Sequence, residues 1–255
     1  MTTEAPTGAA APDKTAIRNA ATVIVLRDRA TNPAVLMGQR GAKAAFFPNK
    51  FVFPGGAVDA ADATIPLAAP LPGLCTTRLE QDCLPGLAGQ LAAAAVRELW
   101  EETGLILGRP GTWDGDVPED WIRYAATGHL PAGDMLQFVF RAITPPGRPR
   151  RFDARFFLVD ADDVQGDLDD FTHATDELSH LQWIPLPEAR SFDLPFITEV
   201  VLAEVEARAA VKEPPASVPF FKNNEEANLF LRIYGHEQPM EDGHRPASMQ
   251  RPTPA

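Results

Sequence analysis

Cysteine is scarce in this 255-residue chain: only Cys75 and Cys83 occur. A chain this long buries a core without a disulfide framework, so two free thiols in a reducing cytoplasm are the expectation. No Cys or His grouping has the spacing of a zinc site. No run approaches 18 apolar residues, which excludes a reading as a membrane-spanning helix. Glu4 and the lack of an apolar segment behind it argue against a secretory signal. The chain stops at Arg-Pro-Thr-Pro-Ala rather than at a peroxisomal address, so a cytoplasmic location is expected. Positive charge is also short. A net charge of −12 argues against a partner that is nucleic acid or an anionic membrane. No internal repeat of about 20–50 residues is found.

What is present reads as globular. Hydrophobic residues are 45% and charged residues 23%, both ordinary values. Proline is unusual, at 25 residues. Residues 1–15 read as a disordered tail. Residues 16–212 read as one domain. Residues 213–255 read as a C-terminal extension: 218–234 keeps aromatics that can pack back, and 236–255 reads as disordered. Apolar or alternating runs predict strands over 20–27, 34–40, 51–53, 136–144, 151–159 and 178–184. Apolar residues recur every four positions from Leu91 through Ala95 to Leu99, which predicts a helix over 88–103. Ile197, Val201 and Val205 predict a second helix over 194–210. The class is therefore α/β with a mixed sheet.

The chemistry concentrates at the end of the first helix, in Arg97-Glu98-Leu99-Trp100-Glu101-Glu102-Thr103-Gly104-Leu105. Glu98, Glu101 and Glu102 fall at i, i+3 and i+4, on one helical face. At roughly 6 Å and an effective dielectric of about 20, each pair repels by on the order of 3 kcal/mol before screening. Arg97 offsets part of this charge. A hard divalent cation is the natural partner for the rest, because such ions select carboxylate oxygens. Upstream, Phe53-Pro54-Gly55-Gly56 lets the backbone come close to a ligand.

Together these residues resemble the Nudix hydrolase family, whose box runs Gly-x5-Glu-x7-Arg-Glu-U-x-Glu-Glu-x-Gly-U, with U aliphatic. Gly56 takes the first place. Arg97, Glu98, Leu99, Glu101, Glu102, Gly104 and Leu105 take the later ones. Asp62 stands where the first Glu belongs. From Asp62 to Arg97 there are 34 residues where the family has seven, so residues 60–90 read as an insertion within the box. A box enlarged in this way resembles the coenzyme A diphosphatase side of the family. The insertion, rich in proline, is expected to be a loop on the substrate side rather than core. The resemblance implies an α/β/α sandwich. It also implies Mg²⁺- or Mn²⁺-dependent hydrolysis of a nucleoside diphosphate linked to another moiety, a small nucleotide-derived molecule. Coenzyme A or an acyl ester leads. NADH, ADP-ribose and nucleotide sugars are alternatives, and a non-catalytic nucleotide-sensing module is a further one.

The resemblance assigns Glu98 and Glu102 as metal ligands, with Glu101 as a third ligand or as the base. Arg97 orients a carboxylate, and the carbonyl of Gly56 is a further metal contact. Glu177, on a loop before a strand, is a candidate catalytic or metal-binding residue, against an ordinary exposed Glu. Arg40, Arg151 and Arg155 are phosphate candidates, because a guanidinium matches phosphate oxygens pairwise. Salt bridging along a strand is the competing reading for Arg151 and Arg155. Phe46, Phe47 and Phe51 fit either a base-stacking wall or the core.

Overall fold

The computed structural model describes residues 16–223 and 228–236. The expected tail, 1–15, and the expected disordered end beyond His236 lie outside the described residues. The described chain forms β1 (Ile17–Arg27), β2 (Ala34–Arg40), β3 (Phe51–Val52), β4 (Gly55–Ala57), α1 (Gly73–Leu79), α2 (Leu87–Thr103), β5 (Gly108–Pro110), α3 (Ile122–Ala125), β6 (His129–Pro131), β7 (Gln137–Ile143), β8 (Arg151–Asp160), β9 (Leu178–Pro185), α4 (Leu186–Ala189), α5 (Phe196–Arg208), β10 (Val218–Asn223) and β11 (Asn228–Ile233).

The β-branched, apolar run of β1 makes it the centre of the sheet. The order is β11-β10-β7-β8-β1-β2-β3, with β4 also on β1 and β9 on β2. β1 runs parallel to β8 and antiparallel to β2 and β4, so the sheet is mixed. β5 and β6 form a separate ribbon.

Period-2 alternation splits the core into two layers. Val23, Val25 and Phe157 pack with Leu91, Ala95 and Leu99 of α2. Ile24, Leu26 and Leu158 pack with Val201, Leu202 and Val205 of α5. The result is the α/β/α sandwich that the resemblance implies. Gly104 ends α2 with φ 75°, and its N–H donates to the Trp100 carbonyl at 2.8 Å. A left-handed residue at this position suits glycine.

The sheet continues past residue 212, within the stretch whose aromatics are expected to pack back: β10 adds in parallel to β7 and carries β11 beside it. Val218 and Phe220 are buried among the apolar residues on the α2 side. One expectation is corrected: the insertion is not a substrate-side loop outside the core, and none of its residues lines the cleft described below. Its Ile65, Leu71, Cys75 and Leu79 are core residues. Prolines break the segment into short pieces, and those pieces still bury several apolar side chains, while Leu74 and Leu84 stay exposed.

Arg78 of α1 ties the insertion to the C-terminal segment. Its guanidinium donates to the carbonyls of Tyr234 (3.0 Å), Pro215 (2.7 Å) and Ala216 (2.8 Å). Arg78→Ala leaves these acceptors without their donor. A loss of about 2–4 kcal/mol is expected, read as a lower urea midpoint in equilibrium unfolding. A midpoint equal to wild type would show that the clamp carries no stability.

Candidate active site

Pro54-Gly55-Gly56 and α2 meet at very close range. A Cβ on Gly56 would sit 2.3 Å from Oε1 of Glu98, and one on Gly55 would sit 2.5 Å from the Ala21 carbonyl. At Gly55 the clash is with backbone, so only glycine permits the approach, and at Gly56 a Cβ would displace the Glu98 carboxylate. The approach places the Gly55 N–H on Oε2 of Glu102 at 2.8 Å.

Arg97 is the hub. It is buried, at 3% exposure. Nε and Nη2 each donate to Asp62 at 3.0 Å, a two-toothed pair. Nη1 donates to Glu98 at 2.8 Å and to Glu101 at 3.4 Å. Nη2 also donates to the Ala57 carbonyl at 2.9 Å. Asp62 is itself held by the Asp59 N–H at 2.9 Å. The one-methylene shortening at Asp62 thus coincides with a saturated guanidinium, and Asp62 is turned into the protein.

The carboxylates are left with excess charge. Burial pushes Glu98 up to about 7; Arg97 works against this, while Glu101 and Glu177 add to it. Glu101 is raised by burial too. Glu102 is raised well above the ordinary carboxylate range by burial and by Glu98. Its Oε1 is buried without a hydrogen-bond partner, with Arg40 Nη1 at 3.9 Å. An all-oxygen set with unmet negative charge suits a hard divalent cation. Among the described residues no three Asp, Glu, His or Cys side chains stand in a ready-made metal cage. Arg97 already occupies oxygens of both Glu98 and Glu101.

The site opens onto a cleft of about 470 Å³. Gly56, Glu98, Glu101, Glu177 and Arg40 all line it. Glu177 is an exposed loop residue. Its loop is fixed to the helix end by the Thr175 N–H, which donates to the Glu101 carbonyl at 2.7 Å. Arg40 keeps a buried Nε without a partner.

Arg151 and Arg155 do not line the cleft. Alternation along β8 sends Phe152, Ala154 and Phe156 into it and the intervening residues to the other face. Arg155 is fully buried, against Asn19 (2.7 Å) and Asp153 (3.1 Å). Arg151 donates to the Thr144 carbonyl at 3.1 Å. Arg155 makes the strand salt bridge that competed with phosphate binding in the sequence reading, and Arg151 bonds backbone carbonyls instead. Phe46 and Phe47 line the cleft, whereas Phe51 packs against Phe192 at 4.8 Å. Sequence reasoning missed Arg18, Arg148, Arg150 and Phe152, all at the cleft. The period-2 pattern of β8 carried the signal for Phe152.

A pH dependence follows from Glu98. Its folded value, about 7, lies above the unfolded value of about 4.5. Between these values the folded chain keeps a proton that the unfolded chain has lost, so stability rises as pH falls from 8 towards 5. In chelator, thermal unfolding should occur at higher temperature at pH 5.5 than at pH 8. Glu98→Gln should raise the melting temperature at pH 8 more than at pH 5.5. An equal shift at both values would remove Glu98 as the source.

No protein-family model matches the chain. It is 32% identical over 180 residues to the Caenorhabditis elegans protein named as nudix hydrolase 7, a match that takes in 66% of this chain and 51% of that protein. The chain thus spans about half the length of the curated relative it matches. The crystal structure of a NUDIX hydrolase from Alicyclobacillus acidocaldarius aligns with a TM-score of 0.59 and 28% identity, over 78% of this chain and 95% of that one. The fold is that of the Nudix hydrolases, and the likeness in sequence supports that family for this chain.

Proposed function

We propose that this chain is a divalent-metal-dependent hydrolase that cleaves the diphosphate linkage of a nucleoside diphosphate joined to another moiety. The observation that carries the reading is the packing of Gly55-Gly56 against Glu98 and Glu102, with Arg97 holding Glu98 at the wall of a cleft. Coenzyme A or an acyl ester is the finer substrate reading, supported by the split box and by Arg40 in the cleft.

Water adds its oxygen to one phosphorus, the bridging oxygen leaves with the other, and a proton is released. Glu98 and Glu102 would hold Mg²⁺ or Mn²⁺, with the Gly56 carbonyl beside them. Such an ion offsets the negative charge of the linkage and makes a bound water easier to deprotonate. Arg97 keeps Glu98 and Glu101 in place rather than touching substrate, because its nitrogens are already engaged. Glu101 lines the cleft, and only its Oε2 is engaged by Arg97, so it is placed to take the proton of the attacking water. Glu177 is the second candidate for that proton, across the same cleft.

Purified protein with Mg²⁺ should release nucleotide products from coenzyme A or a related diphosphate and stop in excess chelator. Glu102→Gln keeps the volume and removes the charge. It should lower kcat about a hundredfold or more, while metal-free stability holds or rises. Full turnover in chelator, or an unchanged kcat in the variant, would sink the metal reading.

A further inference from the structure

The cleft lining carries positive as well as negative side chains. We infer that Arg148 and Arg150 form an anion subsite that selects substrates carrying a phosphomonoester beyond the diphosphate that is cut. This rests on the hydrolase reading above.

Both arginines stand in the connection between β7 and β8, are exposed, and line the cleft. Neither makes an ion pair or a side-chain hydrogen bond among the described residues. The other cleft cations are engaged. Arg97 is saturated, Arg18 pairs with Asp59 at 3.4 Å, and Arg40 faces Glu102. In a chain of net charge −12, two guanidinium groups two residues apart in sequence on the cleft lining, neither paired among the described residues, are a concentrated attraction for an anion.

The connection is anchored at its root. The Thr144 N–H donates to the Phe152 carbonyl at 2.8 Å, and the Phe152 N–H donates to the Thr144 hydroxyl at 3.0 Å. Phe46 also lines the cleft, with Phe47 at 4.0 Å and Phe152 at 5.3 Å between ring centroids. That apolar wall fits a flat base or another apolar group. The cleft thus offers carboxylates for a metal-bound diphosphate, an aromatic wall, and free arginines. A phosphomonoester carries about −1.5 to −2 at neutral pH and presents three acceptor oxygens, which the planar guanidinium matches.

Two substrate pairs test this. Coenzyme A and dephospho-coenzyme A differ by a ribose 3′-phosphate; NADPH and NADH differ by a ribose 2′-phosphate. At least one phosphorylated member should have a kcat/KM advantage of about tenfold or more, carried by KM. The pair that shows it identifies the source of the phosphate. The double variant Arg148→Ala, Arg150→Ala should bring the ratio close to one, and the corresponding double Lys variant should recover part of it. A wild-type ratio near one in both pairs, or a ratio unmoved by the double Ala variant, overturns the inference.

Calorimetry keeps the subsite separate from turnover. Adenosine 3′,5′-bisphosphate or its 2′,5′ isomer should bind more tightly than adenosine 5′-monophosphate, and the double Ala variant should lose the difference. Equal affinities overturn the subsite. If none of the four substrates is cut but the difference in binding holds, the coenzyme A reading falls and the subsite stands, while the hydrolase reading is decided by the chelator and Glu102→Gln experiments above.

Discussion

The Arg97 guanidinium is the interaction on which the rest of the site depends. It sits among Asp62, Glu98 and Glu101, with Asp59 at 3.7 Å. Without it, a buried face of carboxylates would repel itself at low dielectric. With it, three separate pieces of chain are fixed in register: the Ala57 carbonyl of β4, the turn that carries Asp62, and α2. The insertion lies between Asp62 and Arg97 in sequence, yet the two side chains still meet through paired 3.0 Å contacts. The box is interrupted in the chain and continuous in space.

That continuity explains why much of the site was legible from sequence. Gly55 and Gly56 are required by steric approach, and Glu98, Glu101 and Glu102 share a face because 3.6 residues make a turn. Leu91, Ala95 and Leu99 had to face the sheet for the same reason. Spacing did not reveal which cations reach the cleft. Arg151 and Arg155 stand next to the right residues in sequence, but a one-residue step along a strand reverses the face. The short sheet-joining strands β10 and β11 were equally hidden, because an aromatic stretch among prolines carries no strong periodicity.

The insertion shows the limit of reading composition. Its prolines do exclude a long helix, but an absence of long helix is not an absence of core. Leu71, Cys75 and Leu79 bury against the α2 layer, and Arg78 holds the segment that leads into β10. Arg141 on β7 adds to this, donating to the carbonyls of Gln81 (2.8 Å) and Asp82 (3.3 Å), while Lys222 on β10 pairs with Asp82 at 2.9 Å. The insertion and the C-terminal strands therefore stabilise each other. A chain lacking one would leave buried polar groups of the other unpaired.

This mutual clamp shapes how the cleft can differ from others of its fold. Residues 60–90 supply core and hydrogen bonds, and none of them lines the cleft. The cleft lining comes instead from other elements, among them the end of β2 with Arg40, the loop with Phe46 and Phe47, and the β7–β8 connection with its arginines. The first of these faces the carboxylate cluster through Glu102, so its charge is partly spent on holding the candidate site together. The connection is anchored only at its root and carries no structural load at its tip. A segment placed in that way can change its charge without disturbing Arg97, so the charge of this part of the cleft lining is separable from the geometry of the carboxylate cluster.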